Sequence, residues 1–350
     1  MKFITLTTLI ILFIPSLVLA KNADISFSGW GETGIKTEEQ NTLKGYPSLT
    51  YYAAKLQADI KLNKQIDIQI DVKGNSDDNQ VDFNEFSFKF DYHDYFKVKV
   101  GHLKQPFGYE QQISHANLLT FNRSNTHLAM AKMGYANRSF TIKGYYNYSQ
   151  KRPDFPYSYA LSIFKNNSNN TGLNIKGSRH LNDVIISGYG QYQFKEGRDG
   201  LSLHSFGAGS DVTYETTTTS LGLALFILED PVAGIQNLEQ NFIIETASLD
   251  LPYLDESVLA ATFQTFVAYR FHTNGSVFQS YEPIFLTSVY LPVLDDTKSY
   301  EWQVAYGLNS YFTKDVRLRF QVDYIFTQKT TSEESSINGS SVELGLQASF

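Results

Sequence analysis

Six lysines in the first half of the chain share a pattern. Lys55, Lys73, Lys89, Lys97, Lys99 and Lys143 all fall on the polar side of stretches in which apolar and polar residues alternate. An ammonium is a compact, strongly hydrated point charge. Several of them along one wall of a narrow passage would raise the local concentration of anions. The same residues have a second use. Asp59, Asp67, Asp71 and Glu85 share their parity, and opposite charges facing each other across strands stabilise a sheet by roughly 0.2–1 kcal/mol per pair. Two more cations, Lys104 and Arg123, flank or lie within Gln105 to Asn137, a long stretch without clean alternation. They read either as contacts for passing anions or as internal ion pairs with Glu110 that pin the stretch.

Other chemistry is absent from the sequence. Seven histidines are scattered, and none shows metal-ligand spacing with an acidic partner. His115 and His127 lie in the long stretch and read as surface residues. There is no G-x-S-x-G elbow, and glycine-containing runs such as GYGQYQ lack the helix that a phosphate cradle needs. The acidic run Gly74 to Asp82 departs from the calcium-loop offsets and reads as a solvated turn. No catalytic residue, metal site or cofactor is expected, and the chain does not read as an enzyme.

The elements that carry the lysines are strands. Tyr52, Ala54, Leu56, Ala58 and Ile60 alternate with Lys55, Gln57, Asp59 and Lys61. Phe86, Phe88 and Phe90 alternate with Glu85, Ser87 and Lys89, and Val316, Leu318, Phe320 and Val322 with Arg317, Arg319 and Gln321. The pattern runs to the last residues, where Val342, Leu344, Leu346, Ala348 and Phe350 share one parity. Such alternation suits a sandwich or a tube. Aromatic residues clustered at strand ends, strands of ten or more residues, and a chain ending flush with a strand favour a transmembrane antiparallel β-barrel. Seventeen stretches from Ile25 to Phe350 read as strands, and a bacterial barrel takes an even number, so about 16 is expected. Ser220 to Leu228, Phe242 to Leu249 and Val258 to Phe271 are apolar on both parities, which leaves their register open.

Residues 1–20 read as a cleaved secretory signal, with Lys2 ahead of an apolar run and Val18-Leu19-Ala20 at the cut. The barrel domain would then be 21–350, with a loop near 105–137 that folds inward and narrows the channel. The chain has no cysteine, so no disulfide scaffold holds an exported fold. A formal charge of −7 argues against nucleic acid as a partner.

One segment resembles a known family. In VKVGHLKQPFGYEQ, Gly101, Lys104, Pro106, Phe107 and Glu110 are similar to the G-x-x-K-x-P-F segment of the phosphate-selective porin O and P family, and Arg123-Ser124 to an Arg-Ser that follows it there. YGLNSYFTKDVRLRFQVDY, Tyr306 to Tyr324, resembles a late hairpin of that family. The resemblance implies a 16-strand outer-membrane barrel, usually a homotrimer, that passes small solutes, phosphate in its best-known members. It also implies that the terminal aromatic Phe350 is read by the barrel assembly machinery. The dense arginine ladder expected of a phosphate channel is missing here.

The expectation is therefore a porin in the outer membrane of a Gram-negative bacterium, surrounded by lipid. It would form a water-filled channel for passive diffusion of small hydrophilic solutes, with a preference for anions or phosphate. The alternatives are a barrel-based hydrolase and an adhesin or receptor.

Overall fold

The computed structural model describes residues 23–40, 48–76, 80–165, 170–196, 202–230, 258–275, 277–294, 299–328 and 337–350. The expected signal segment, residues 1–20, and Phe242 to Leu249 lie outside them, as does the middle of the acidic run. Sixteen strands follow one another. These are β1 (Asp24–Gln40), β2 (Ser48–Lys61), β3 (Ile66–Asn75), β4 (Gln80–His93), β5 (Phe96–Lys104), β6 (Arg138–Tyr146), β7 (Tyr157–Lys165) and β8 (Thr171–Leu181). They continue with β9 (Val184–Glu196), β10 (Ser202–Glu215), β11 (Thr219–Asp230), β12 (Val258–Tyr269), β13 (Ser280–Leu291), β14 (Tyr300–Tyr311), β15 (Val316–Gln328) and β16 (Ile337–Ser349). A two-residue piece, Phe271–His272, prolongs β12 past Arg270, and both pieces pair with β13. Counting them as one strand makes the total even.

Each strand pairs antiparallel with its neighbour in sequence, and β1 pairs with β16, so the sheet is a closed barrel. Closure runs to the last residue. The amide of Phe350 donates to the carbonyl of Gly29 at 3.0 Å, and the amide of Gly29 donates to the carbonyl of Phe350 at 3.0 Å. In hydrocarbon an unpaired backbone group costs several kcal/mol, so a seam hydrogen-bonded in both directions leaves no such group at this position. Exposure follows parity around the wall. Leu344 and Leu346 are 46% and 43% exposed, whereas Glu343 and Gln347 beside them are 3% and 2% exposed. Apolar side chains point outward and, over most of the wall, polar ones point in. No helix among the described residues is long and apolar enough to cross a membrane.

One irregularity shapes the interior. Opposite β3 the register of β4 shifts between Asp71 and Val72, so Asn84 is an extra residue. This β-bulge reverses the parity upstream: Phe83 points outward like Phe86 despite the odd spacing. Gly101 in β5 has φ +146°, and a Cβ there would stand 2.0 Å from the carbonyl oxygen of Phe86. The backbones approach too closely for any side chain.

Between β5 and β6 the chain leaves the wall. Gln105 and Asn137 are joined at the base by a backbone hydrogen bond of 2.9 Å. The insert between them holds the short helix α1 (Tyr109–Gln112), a single 3-10 turn (His115–Asn117) and the helix α2 (Asn125–Lys132). Ser124 caps α2: its side chain accepts from the His127 amide at 3.2 Å, filling one of the donors a helix start leaves open.

The insert lies against the inner face of β9–β16. Phe107, Met130 and Tyr135 form an apolar cluster with Tyr189 of β9, Phe226 and Leu228 of β11 and Ala260 of β12. A second cluster seats Tyr109 and Leu119 on Phe266, Leu286 and Ala305. This explains two stretches that are apolar on both parities. In β11, Leu221, Leu223, Leu225 and Ile227 are exposed on the outer face. The other parity, with Ala224, Phe226 and Leu228, faces the insert rather than water. Gly207 of β10 makes room for the same contact, since a Cβ there would meet the Tyr135 ring at 2.4 Å.

Candidate functional site

Polar contacts complete the docking of the insert. The Phe121 amide donates to Gln321 at 2.8 Å and the Asn125 amide to Gln303 at 2.9 Å. Arg317 donates to the carbonyls of Ala116 and Leu118 at 2.9 and 2.8 Å. Gln191 and Gln193 donate to the carbonyls of Gly134 and Met133. Glu110 ties the insert together and to the wall. Its carboxylate accepts from the Ser124 hydroxyl at 2.7 Å, from the Ser124 amide at 3.1 Å, and from Gln264 of β12 at 3.0 Å. Burial pushes the Glu110 carboxyl above the usual range, and the bonds from Ser124 and the charge of Arg123 oppose that rise.

Lys104 and Arg123 do not form the ion pair with Glu110 that the sequence allows. Both donate to one backbone carbonyl, that of Ile113, at 2.8 and 2.9 Å. Burial pulls the Arg123 guanidinium down to about 10, which leaves it charged at neutral pH. The expected surface histidines are also placed differently. His115 stacks on Trp30 at 4.7 Å and lies 3.6 Å from Glu32. His127 is 3% exposed, and its burial, with Arg123, Lys104 and Arg138 close by, holds its pKa well below the usual value.

What the insert leaves open is a space of about 440 Å³ bounded by the insert and by strands β1–β8. Its lining is basic. Lys55 and Lys73 come from β2 and β3, Lys99 and Lys104 from β5, Arg138 and Lys143 from β6, Lys176 from β8 and Arg123 from the insert. Glu85 is the one carboxylate among the described lining residues. Pro106 and His115 line it too, while Phe107 is buried in the docking cluster behind.

The lysines divide by their partners. Lys55 lies 2.6 Å from Asp71 and Lys99 2.6 Å from Glu85. Lys89 pairs with Asp67 and Asp91, and Lys97 with Asp91; neither of these two lysines lines the space. Lys104, Arg123, Arg138, Lys143 and Lys176 have no carboxylate within ion-pair distance among the described residues. Lys143 sits over the Tyr145 ring at 5.1 Å, and Lys176 donates to Gln112 at 2.7 Å. The register sets like charges side by side: Lys55 faces Lys73, Lys89 faces Lys99, Lys99 faces Lys143, and Lys104 faces Arg138. Like charges directly opposite destabilise a sheet, so stability alone does not account for the arrangement.

Arg138 and Lys176 carry no weight in the sequence reading. Arg138 opens a strand straight out of the irregular stretch. Lys176 does have a signal, the alternation of Leu173 and Ile175 with Asn174 and Lys176. Among the described residues, no group of His, Asp or Glu is placed to hold a metal ion.

The closed antiparallel barrel is a fold shared with solved outer-membrane proteins. Solved structures with this fold include the anion-selective porin from Comamonas acidovorans, with TM-score 0.65 and 11% identity over 94% of this chain and 100% of that one. The outer membrane channel DcaP of Acinetobacter baumannii gives TM-score 0.65 and 10% identity over 94% and 98%. OprB of Pseudomonas putida gives TM-score 0.59 and 12% identity over 96% of each. At such identities the likeness is one of fold. No family model matches the chain, and no curated protein matches it either.

Proposed function

We propose that this protein is a porin of the Gram-negative outer membrane that lets small hydrophilic solutes diffuse and prefers anions. One observation carries the preference: among the described residues, eight cationic Lys and Arg side chains and a single carboxylate line the open space beside the insert. Low-dielectric walls focus the field of such a lining and raise the local concentration of anions. The insert takes the role of a constriction, with Lys104 and Arg123 at its edge. The fold shared with a porin described as anion-selective supports the reading. Phosphate as a favoured solute is suggested by the Gly101-to-Glu110 resemblance together with the basic lining. A trimer form of a similar barrel supports a homotrimer. Phe350, paired with Gly29 at the seam and 72% exposed, would be the residue that an assembly machinery reads.

The test is electrical. The purified barrel in a planar bilayer under a potassium chloride gradient should show stepwise conductance and a reversal potential on the chloride side. Inorganic phosphate should reduce the chloride current, and liposomes should swell faster in anionic than in cationic solutes of equal size. A reversal potential on the potassium side would end the anion reading, and the absence of any conductance would end the porin.

A further inference from the structure

Glu85 is the exception in the basic lining: it points inward with Ser87 and Lys89, and the β-bulge sets Asn84 beside it. Successive residues of a regular strand point to opposite faces. Because Asn84 is an extra residue, Asn84 and Glu85 both reach the open space. Glu85 is 8% exposed and accepts from Lys99 at 2.6 Å. Lys143, which faces Lys99 across the β5–β6 ladder, and Arg138 act on the same carboxylate from the next strand. Three cations therefore converge on one fixed negative charge. Asp71 is nearby, but it is held by Lys55 at 2.6 Å and by Asn84 at 3.2 Å, and it does not line the space.

We propose that Glu85 is a tethered counter-ion of the channel: its carboxylate stands where a permeating anion would stand and shares Lys99, Lys143 and Arg138 with it. A multivalent oxyanion such as phosphate would take over part of this set as it passes, and Glu85 would take it back as the anion leaves. A filter conducts only when its binding is weak enough to release what it attracts. Glu85 supplies that weakness, so it sets how tightly multivalent anions are held relative to monovalent ones. The proposal rests on the anion-porin reading and names the residue that tunes it.

The experiment compares wild type with Glu85→Gln in planar bilayers, after heat-modifiable gel mobility has confirmed the folded barrel. Inorganic phosphate is the probe, titrated against the chloride current. Loss of one fixed charge near three cations should lower the half-blocking phosphate concentration roughly tenfold and bring the chloride conductance to saturation at lower salt. Asp91→Asn, which removes a carboxylate whose partners Lys89 and Lys97 both stand outside the lining, should change both by less than about twofold. Unchanged phosphate block in folded Glu85→Gln overturns the proposal while leaving an anion-preferring wild type intact. A wild type that prefers potassium overturns the underlying reading instead. If Glu85→Gln yields no folded barrel, the double variant Glu85→Gln/Lys99→Gln decides. One charge of each sign is lost, so phosphate block should stay within about threefold of wild type; a block weakened more than roughly tenfold would make Lys99 the anion site and Glu85 only its brace.

Discussion

The two halves of the barrel share one outer surface and differ inside. Around β1–β8 the inner face is wet and basic, with lysines facing lysines across β2–β3 and β5–β6. Around β9–β16 it lies against the insert and mixes apolar side chains with buried amides, carboxylates and ion pairs. Phe226, Leu228 and Phe266 receive the insert, Arg319 pairs with Glu32 at 2.6 Å, and Arg270 with Glu282 at 2.8 Å. Two-residue alternation decides only which face points outward. What the other face meets is decided by the insert, which packs against one half of the interior and leaves the open, basic space beside the other.

The division can be broken from its apolar side first. Phe107→Ala removes a fully buried ring that contacts Tyr135, Tyr189 and Phe226. It should weaken docking of the insert by about 3–5 kcal/mol, seen as faster hydrogen exchange in residues 125–132 and larger, noisier single-channel steps. Next comes Glu110→Ala, which strips the Ser124 amide and Gln264 of their acceptor and should cost about 1–3 kcal/mol by the same readout. Glu110→Gln should do much less, because burial already disfavours the charge there.

On the basic side, Lys143→Glu and Arg138→Glu should shift the reversal potential by the largest amount, lowering the anion-to-cation permeability ratio by roughly tenfold. Acid gives a smaller, graded effect. His127 has a depressed pKa in the docked insert, so docking is at full strength above the unfolded value of ~6.5 and weakens as pH falls through it, by at most ~1.4 kcal/mol per pH unit. Protection of the amides of residues 125–132, taken relative to the intrinsic exchange rate at each pH, should therefore fall from about pH 7 to about pH 5 in wild type and stay flat in His127→Asn. The smallest effect is expected for Lys97→Glu. Lys97 is paired with Asp91 and stands outside the open space, so the ion preference should barely move. A large shift there would erase the boundary drawn around the basic half.

The barrel itself is readable in the sequence because a single period controls it. A slip of one residue in a strand such as Val316 to Tyr324 would turn Arg317 and Arg319 onto the apolar outer face, so the pattern is kept without gaps. The site is less readable. Lys55, Lys73, Lys99 and Lys143 announce themselves by parity, but parity does not say which of them meet a carboxylate. That depends on cross-strand register, which sets Asp71 against Glu85 and brings Lys55 and Lys99 to them, and which no local signal marks. The pairing of Glu110 with Ser124 rather than with Lys104 or Arg123 depends on how two short helices fold against β12. The histidines fail for the same reason: His127 looks polar and exposed in the sequence because its burial, beside Arg123, Lys104 and Arg138, exists only once the insert has folded inside the barrel.

The hydrogen bond between Gln105 and Asn137 has a consequence for how such a barrel can change. It clasps the neck of the insert, so the ends of β5 and β6 keep their register whatever lies between. The stretch from Pro106 to Ala136 is then a cassette. It can be lengthened, shortened or exchanged, and the open space beside it reshaped, while the sixteen-strand tube that carries it needs no refitting.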